Sequence, residues 1–214
     1  MTTFALIPGG GSPPFYFHRL EAELRARGHD VVPIDLPNED DAAGLDEYAD
    51  VAAAAIGERD GGVVVVAHSF GGFTAPLVCT RVRVDLLVLA SAMIPRPGEP
   101  PGDWWGNTGH ASDDGDVFYH DVDPELAAAV DATERDQSGT PLVAPWPLAA
   151  WPDVPTRFLL FADDRFFPAP FMRRVARERL GIEPDEMPGG HMAMLSRPRE
   201  LADRLEAYRL ELGL

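Results

Sequence analysis

Three side chains that together could carry out acyl transfer occur in the order Ser69, Asp164 and His191. A serine hydroxyl is a weak nucleophile unless a base takes its proton, and an acid must hold that base in the correct tautomer. The three residues of such a triad can follow one another along the chain in the order serine, acid, histidine. We therefore predict Ser69 as nucleophile, Asp164 as acid and His191 as base.

The turn that carries Ser69 reads Ala67-His68-Ser69-Phe70-Gly71-Gly72. It follows a run of four valines and precedes an apolar stretch, which is the strand-turn-helix context that exposes a nucleophilic serine. The turn departs from the pattern G-x-S-x-G at Ala67, which adds only a methyl group. The alternative is that Ser69 caps the following helix and that its glycines only permit tight packing.

The candidate acid and base follow predicted elements at the same edge of the sheet. Asp163 and Asp164 come after a predicted strand at 157–161, where sites in open parallel sheets collect. We favour Asp164 as the acid, with Asp163 as the alternative, and either could simply be a turn or cap residue. His191 follows Pro188-Gly189-Gly190 in the loop before the last predicted helix.

A developing oxyanion needs two donors, which this kind of site takes from the residue after the nucleophile and from the loop after the first strand. The N–H groups of Phe70 and Gly10 are the candidates. Gly10 lies in Gly9-Gly10-Gly11, which lacks the spacing of a phosphate-binding loop.

The elements that must position these residues alternate between short β-branched runs and longer segments of helical period. That alternation predicts a single α/β domain over residues 1–214, a three-layer sandwich with a mostly parallel sheet of about six strands. The four valines at 63–66 predict a central strand buried on both faces. The predicted strands are 4–7, 31–34, 63–66, 85–89, 157–161 and 185–187, and the predicted helices are 15–27, 42–56, 70–82, 169–180 and 197–212.

Residues 92–155 break this rhythm, with one predicted helix near 124–136, and a segment of this length between strands is typical of a functional insertion. We expect it to form a small lid whose aromatic residues line a substrate pocket beside Met192, although they could instead form only the core of the lid. His110 and His120 could also face substrate. The acidic cluster Asp113-Asp114-Gly115-Asp116 lacks calcium-loop spacing and is interpreted as a solvated loop. The predicted substrate-binding residues are Trp104, Trp105, Phe118, Tyr119, Trp146 and Met192.

Charge and cysteine content limit the binding partners and the covalent cross-links that we expect. The chain has 35 acidic and 18 basic side chains, a formal net charge of −17, which disfavours nucleic acid and anionic membranes. The only cysteine, Cys79, allows no internal disulfide and is expected to be a buried helix residue. With no apparent leader or membrane span, we expect a cytoplasmic monomer or homodimer acting on a small molecule.

These motifs resemble the α/β-hydrolase superfamily, and within it the branch of plant methylesterases, hydroxynitrile lyases and related small bacterial esterases. The resemblance rests on Pro8-Gly9-Gly10, Gly28-His29-Asp30-Val31, Asp35-Leu36-Pro37, the turn at 67–72, and Gly190-His191-Met192-Ala193-Met194-Leu195-Ser196. It implies the triad Ser69, Asp164 and His191, an oxyanion hole at Gly10 and Phe70, no metal and no organic cofactor.

Two positions separate esterases from lyases in this branch. The lyases carry a lysine directly after the histidine and a threonine in the oxyanion loop, where this chain has Met192 and Gly9. Both favour hydrolysis of a carboxylic ester or thioester of a small, largely apolar substrate through an acyl-enzyme. The alternatives are a lyase, cyclase or acyltransferase using the same triad, and a catalytically weak ligand-binding or regulatory protein.

Overall fold

The computed structural model describes residues 1–111 and 115–214. Within them, six parallel strands form one sheet in the order β2-β1-β3-β4-β5-β6. The strands are β1 (Thr3–Ile7), β2 (Asp30–Pro33), β3 (Val63–Ser69), β4 (Leu86–Ala92), β5 (Thr156–Phe161) and β6 (Asp185–Met187). The predicted α/β sandwich is confirmed.

Strand β3 lies inside the sheet, between β1 and β4, and its valines are buried on both faces. Val63 to Val66 are at most 2% exposed. Alternate side chains of a strand point to opposite faces. Val63 and Val65 accordingly belong to one hydrophobic core and Val64 and Val66 to the other.

Helices cover both faces of the sheet. Helices α2, α3 and α7 pack on one core, and α1, α8 and α9 pack on the other. The helices are α1 (His18–Ala26), α2 (Leu45–Ile56), α3 (Gly71–Val78), α4 (Trp104–Thr108), α5 (Pro124–Asp131), α6 (Thr140–Val143), α7 (Ala169–Leu180), α8 (Ala193–Ser196) and α9 (Pro198–Glu211). Among the described helices, none combines the length and apolar character needed to cross a lipid bilayer.

Helix α3 is shorter than the predicted 70–82. It contains Pro76 and ends at Val78. Beyond Val78 the chain continues in tighter turns, in which the N–H groups of Thr80 and Arg81 donate to carbonyls three residues earlier.

The segment 92–155 contains three short helices, α4, α5 and α6, rather than the single predicted one. Helix α5 begins where the Asp123 side chain accepts hydrogen bonds from the N–H groups of Glu125 and Leu126. The segment is tied to α7 by a buried ion pair in which Arg179 contacts Glu99 at 2.5 Å. Of the predicted acidic loop, Asp113 and Asp114 lie outside the described residues.

Candidate active site

Ser69 ends strand β3 in a backbone conformation that L-residues rarely adopt. Its φ is 51°, and such strain persists only where the surrounding structure enforces it, most often at functional sites. Close backbone approach explains the two glycines that follow. A Cβ on Gly71 would lie 2.6 Å from the Pro8 carbonyl oxygen, and one on Gly72 would lie 1.9 Å from that of Met93.

Asp164 and His191 form a buried pair beside this turn. His191 Nδ1 lies 2.8 Å from Asp164 Oδ2, and the side chains of both residues are at most 2% exposed. Because a carboxylate only accepts hydrogen bonds, Nδ1 carries the proton of this contact. Among the described residues, Nε2 of the same ring has no hydrogen-bond partner.

Four donors surround the Asp164 carboxylate. The N–H groups of Phe166 and Phe167 donate to Oδ1, each at 2.8 Å. Ser91 Oγ donates to Oδ2 at 2.6 Å, beside His191. A carboxylate has about four acceptor positions, so these four donors satisfy the hydrogen-bonding capacity of the Asp164 side chain.

Asp163, the alternative acid, makes different contacts. Its Oδ2 accepts the Gly189 N–H at 2.9 Å, and its own N–H donates to the Gly189 carbonyl at 3.0 Å. Asp163 therefore holds the loop that carries His191, whereas Asp164 contacts the imidazole itself.

Ser69 and His191 line one cavity of about 580 Å³. Among the described residues, no hydrogen bond joins Ser69 Oγ to the imidazole. The cavity walls are mainly aromatic and aliphatic, with several polar side chains among them. The lining side chains besides Ser69 and His191 include Met93, Trp105, Phe118, Tyr119, Asp131, Glu134, Gln137, Leu142, Phe166 and Met192.

Four of the six predicted substrate-binding residues, Trp105, Phe118, Tyr119 and Met192, line this cavity. Trp104 and Trp146 do not, because both are buried in the core beneath the 92–155 segment, at most 1% exposed. Their indole N–H groups donate to the carbonyls of Ile94 and Phe73, each at 3.0 Å. The Trp104 ring packs against Phe167 and Phe171, and the Trp146 ring packs against Trp151, so both rings lie in the core and not at the cavity.

The glycine loop after β1 lies at the cavity, and two of its three amides are engaged in hydrogen bonds. The Gly9 N–H donates to the Tyr16 hydroxyl at 3.0 Å, and the Gly11 N–H donates to Gln137 Oε1 at 3.0 Å. Among the described residues, the N–H groups of Gly10 and Phe70 have no protein acceptor, and both residues line the cavity. These are the two amides predicted as oxyanion donors.

A comparison with protein families decides the class of the chain. The model of the alpha/beta hydrolase family matches residues 4–204. The chain belongs to the alpha/beta hydrolase family.

Several relatives of the chain carry esterase names. The chain is 27% identical to "Probable esterase PIR7A" of Oryza sativa subsp. indica, covering 94% of each chain. It is 28% identical to "Methylesterase 7" of Arabidopsis thaliana over 46% of this chain and 42% of that protein. Among solved structures, polyneuridine aldehyde esterase superimposes with a TM-score of 0.81 at 19% identity, over 97% of this chain and 99% of that one.

Sequence reasoning missed several residues that shape this alpha/beta hydrolase site. Ser91, fully buried with φ 42°, is the next-to-last residue of strand β4 and lies next to the acid. Tyr16 and Gln137 engage the glycine loop. A small polar residue at the carboxyl end of a buried strand was the available signal for Ser91, whereas only tertiary packing brings Gln137 to the loop.

Three other side chains considered in the sequence, those of His110, His120 and Cys79, do not line the cavity. His110 and His120 contact the carbonyls of Phe166 and Asp163, at 2.7 and 3.0 Å. Burial raises the pKa of the Cys79 thiol to about 12, which disfavours the reactive thiolate. Among the described residues, no three potential metal-ligating side chains converge.

Proposed function

We propose that this alpha/beta hydrolase is a serine esterase that cleaves carboxylic esters or thioesters of small, largely apolar substrates. The observation that carries the proposal is the buried His191–Asp164 pair, 2.8 Å apart, beside a strained Ser69 in the same apolar cavity. The esterase names of the relatives support the ester class.

In the proposed reaction, Ser69 Oγ attacks the ester carbonyl while His191 Nε2 takes the hydroxyl proton. The N–H groups of Gly10 and Phe70 donate to the oxyanion of the tetrahedral intermediate. Collapse of this intermediate breaks the bond to the leaving alcohol or thiol, which receives the proton from His191. Water, deprotonated by His191, then cleaves the acyl-enzyme and releases a carboxylic acid.

Asp164 keeps His191 in the tautomer that this proton transfer requires. With Nδ1–H held by Oδ2, Nε2 is the basic nitrogen, and the imidazolium formed during attack lies against a carboxylate.

Two positions favour hydrolysis over a lyase reaction. A Cβ at Gly9 would lie 3.1 Å from Ser69 Cβ, so a threonine at this position would press against the nucleophile. Met192, directly after His191, lines the cavity with an uncharged side chain, in place of a lysine able to hold an anionic leaving group.

The test is a panel of p-nitrophenyl esters of increasing acyl length with the wild type and Ser69→Ala. We expect turnover of short to medium acyl chains by the wild type, a decline when the chain outgrows a cavity of about 580 Å³, and loss of turnover in Ser69→Ala. Wild-type protein that turns over no ester of the panel, or Ser69→Ala that retains full activity, would refute the proposal.

A further inference from the structure

A chain of buried hydrogen bonds connects the oxyanion loop to the base. The Gly9 N–H lies 3.0 Å from the Tyr16 hydroxyl, which lies 3.0 Å from His68 Nδ1. His68 Nε2 in turn lies 3.0 Å from the His191 carbonyl oxygen. The chain therefore spans the loop after β1, the nucleophile turn and the loop that carries the base.

The chemistry of the partners fixes the proton positions along this chain. A carbonyl oxygen only accepts, so His68 Nε2 carries a hydrogen. Burial, with a contribution from neighbouring His191, lowers the pKa of His68 well below its ordinary value, so the ring is neutral and Nδ1 accepts. The Tyr16 hydroxyl must then donate to Nδ1 while its oxygen accepts the Gly9 N–H.

Packing alone does not require these polar atoms. Tyr16 and His68 are 1% and 2% exposed, and purely apolar rings could fill similar space. A buried polar group is costly unless it is paired. Here the pairing partners at the two ends of the chain are backbone groups of the loops that carry the oxyanion donor and the base.

We propose that Tyr16 and His68 are positioning residues that align the oxyanion loop with the base, an inference that rests on the proposed esterase function. Tyr16 engages the Gly9 N–H and thereby leaves the Gly10 N–H as the loop amide that faces the cavity. His68 fixes the His191 backbone, and because it directly precedes Ser69, it relates the nucleophile to both loops.

The kinetic test compares Tyr16→Phe, His68→Phe and the double variant. Tyr208→Phe is the matched control, because Tyr208 is also buried and donates to Asp185 at 2.9 Å, on edge strand β6. We expect Tyr16→Phe to lower kcat on the order of tenfold to a hundredfold, as small misplacements of catalytic groups do, with KM changed less than about threefold. Since both single variants break the same chain, the double variant should be little worse than the more damaging single one.

An inhibitor pair separates positioning from general destabilisation. A trifluoromethyl ketone forms a tetrahedral adduct with an oxyanion, whereas the matching alcohol does not. In Tyr16→Phe, affinity for the ketone should fall in parallel with kcat/KM and affinity for the alcohol should be unchanged. Equal losses of both affinities would overturn the inference.

Hydrogen exchange tests the chain independently of turnover. In Tyr16→Phe, backbone exchange should accelerate both at residues 9–11 and at 189–192, and Tyr208→Phe should change neither. Faster exchange confined to residues 9–11 would overturn the inference. So would a wild-type kcat in Tyr16→Phe when the wild-type enzyme is active. If Tyr16→Phe fails to fold, His68→Phe tests the same chain, because it keeps an aromatic ring and loses both nitrogen contacts. A wild type that hydrolyses no ester would refute the proposed function alone, since the exchange experiment still decides whether the two loops are coupled.

Discussion

Ser91 occupies a strained position whose only polar side-chain contact among the described residues is with the candidate acid. Its hydroxyl donates to the Asp164 oxygen that also accepts from His191. A hydrogen bond to a charged group contributes about 1.5–3 kcal/mol. We therefore expect Ser91 to orient the candidate acid rather than only to fill the core.

Replacing Ser91 with alanine should lower kcat by roughly tenfold to a hundredfold, with KM little changed, because Asp164 loses one of its four donors. Steady-state kinetics on one ester measures the effect. Thr156→Val is the control, since the Thr156 hydroxyl bonds only the Val154 carbonyl at the opposite end of β5. Wild-type kcat in Ser91→Ala would show that the contact does not orient the acid.

The two neighbouring aspartates offer a second test at this scale. Asp164→Asn should reduce kcat by about 10³–10⁴-fold, because an amide cannot hold the Nδ1–H tautomer in the same way. Asp163→Asn should reduce kcat far less, because Asp163 contacts the Gly189 backbone and not the imidazole. Comparable losses in the two variants would contradict the assignment of Asp164.

At the scale of elements, the 92–155 segment is fixed to the domain by Glu99. Its carboxylate accepts from Arg179 and Asn107. Burial opposes the charge on Glu99, but the hydrogen bonds from Arg179 and Asn107 outweigh it and hold the pKa of the carboxyl below its ordinary value. A buried pair of this kind costs about 3–5 kcal/mol when one partner is removed.

Glu99→Gln should therefore lower the free energy of unfolding at neutral pH by a few kcal/mol. Because the pKa is depressed in the folded state, this stabilisation is present above the ordinary glutamate pKa and disappears as pH falls through the folded value. Thermal unfolding of both proteins between pH 7 and pH 3 measures it, and the difference between them should shrink toward the acid end. A pH-independent difference would contradict the ion-pair account.

The inner strands of the sheet could be predicted because they are short, apolar and buried on both faces, as the valines of β3 show. Ser69, Asp164 and His191 could be placed at the carboxyl edge of the sheet because each follows the end of a predicted strand. The segment 92–155 could not be predicted in detail, since α4 spans five residues and α6 four, too few for a helical period. Trp104 and Trp146 were expected at the substrate cavity, but a tryptophan in an irregular segment gives no sign of whether it faces the core or a cavity.

At the scale of the whole molecule, negative charge reaches the mouth of the cavity. The chain carries a net charge of −17, and Asp131 and Glu134 line the cavity beside Tyr119. Burial, with added effect from Glu134 and Asp131, raises the pKa of Tyr119. No arginine is among the described residues that line this cavity, so an anionic substrate meets a repulsive field without a compensating cation.

A hemisuccinate ester should therefore be hydrolysed with a kcat/KM roughly tenfold below that of its uncharged methyl-ester counterpart, and added salt should narrow the difference by screening. Glu134→Gln should raise activity on the anionic ester and leave the neutral one nearly unchanged. Equal kcat/KM values for the two esters at low salt would contradict this account.

The central claim is that Ser69 is a nucleophile activated by His191, and covalent labelling tests it most directly. Wild type and Ser69→Ala are treated with a fluorophosphonate, and the adduct is located by intact mass and peptide mapping. We predict one adduct per chain, on Ser69, no adduct in Ser69→Ala, and much slower labelling in His191→Ala. An unlabelled wild type, or undiminished labelling of Ser69→Ala, would contradict the claim.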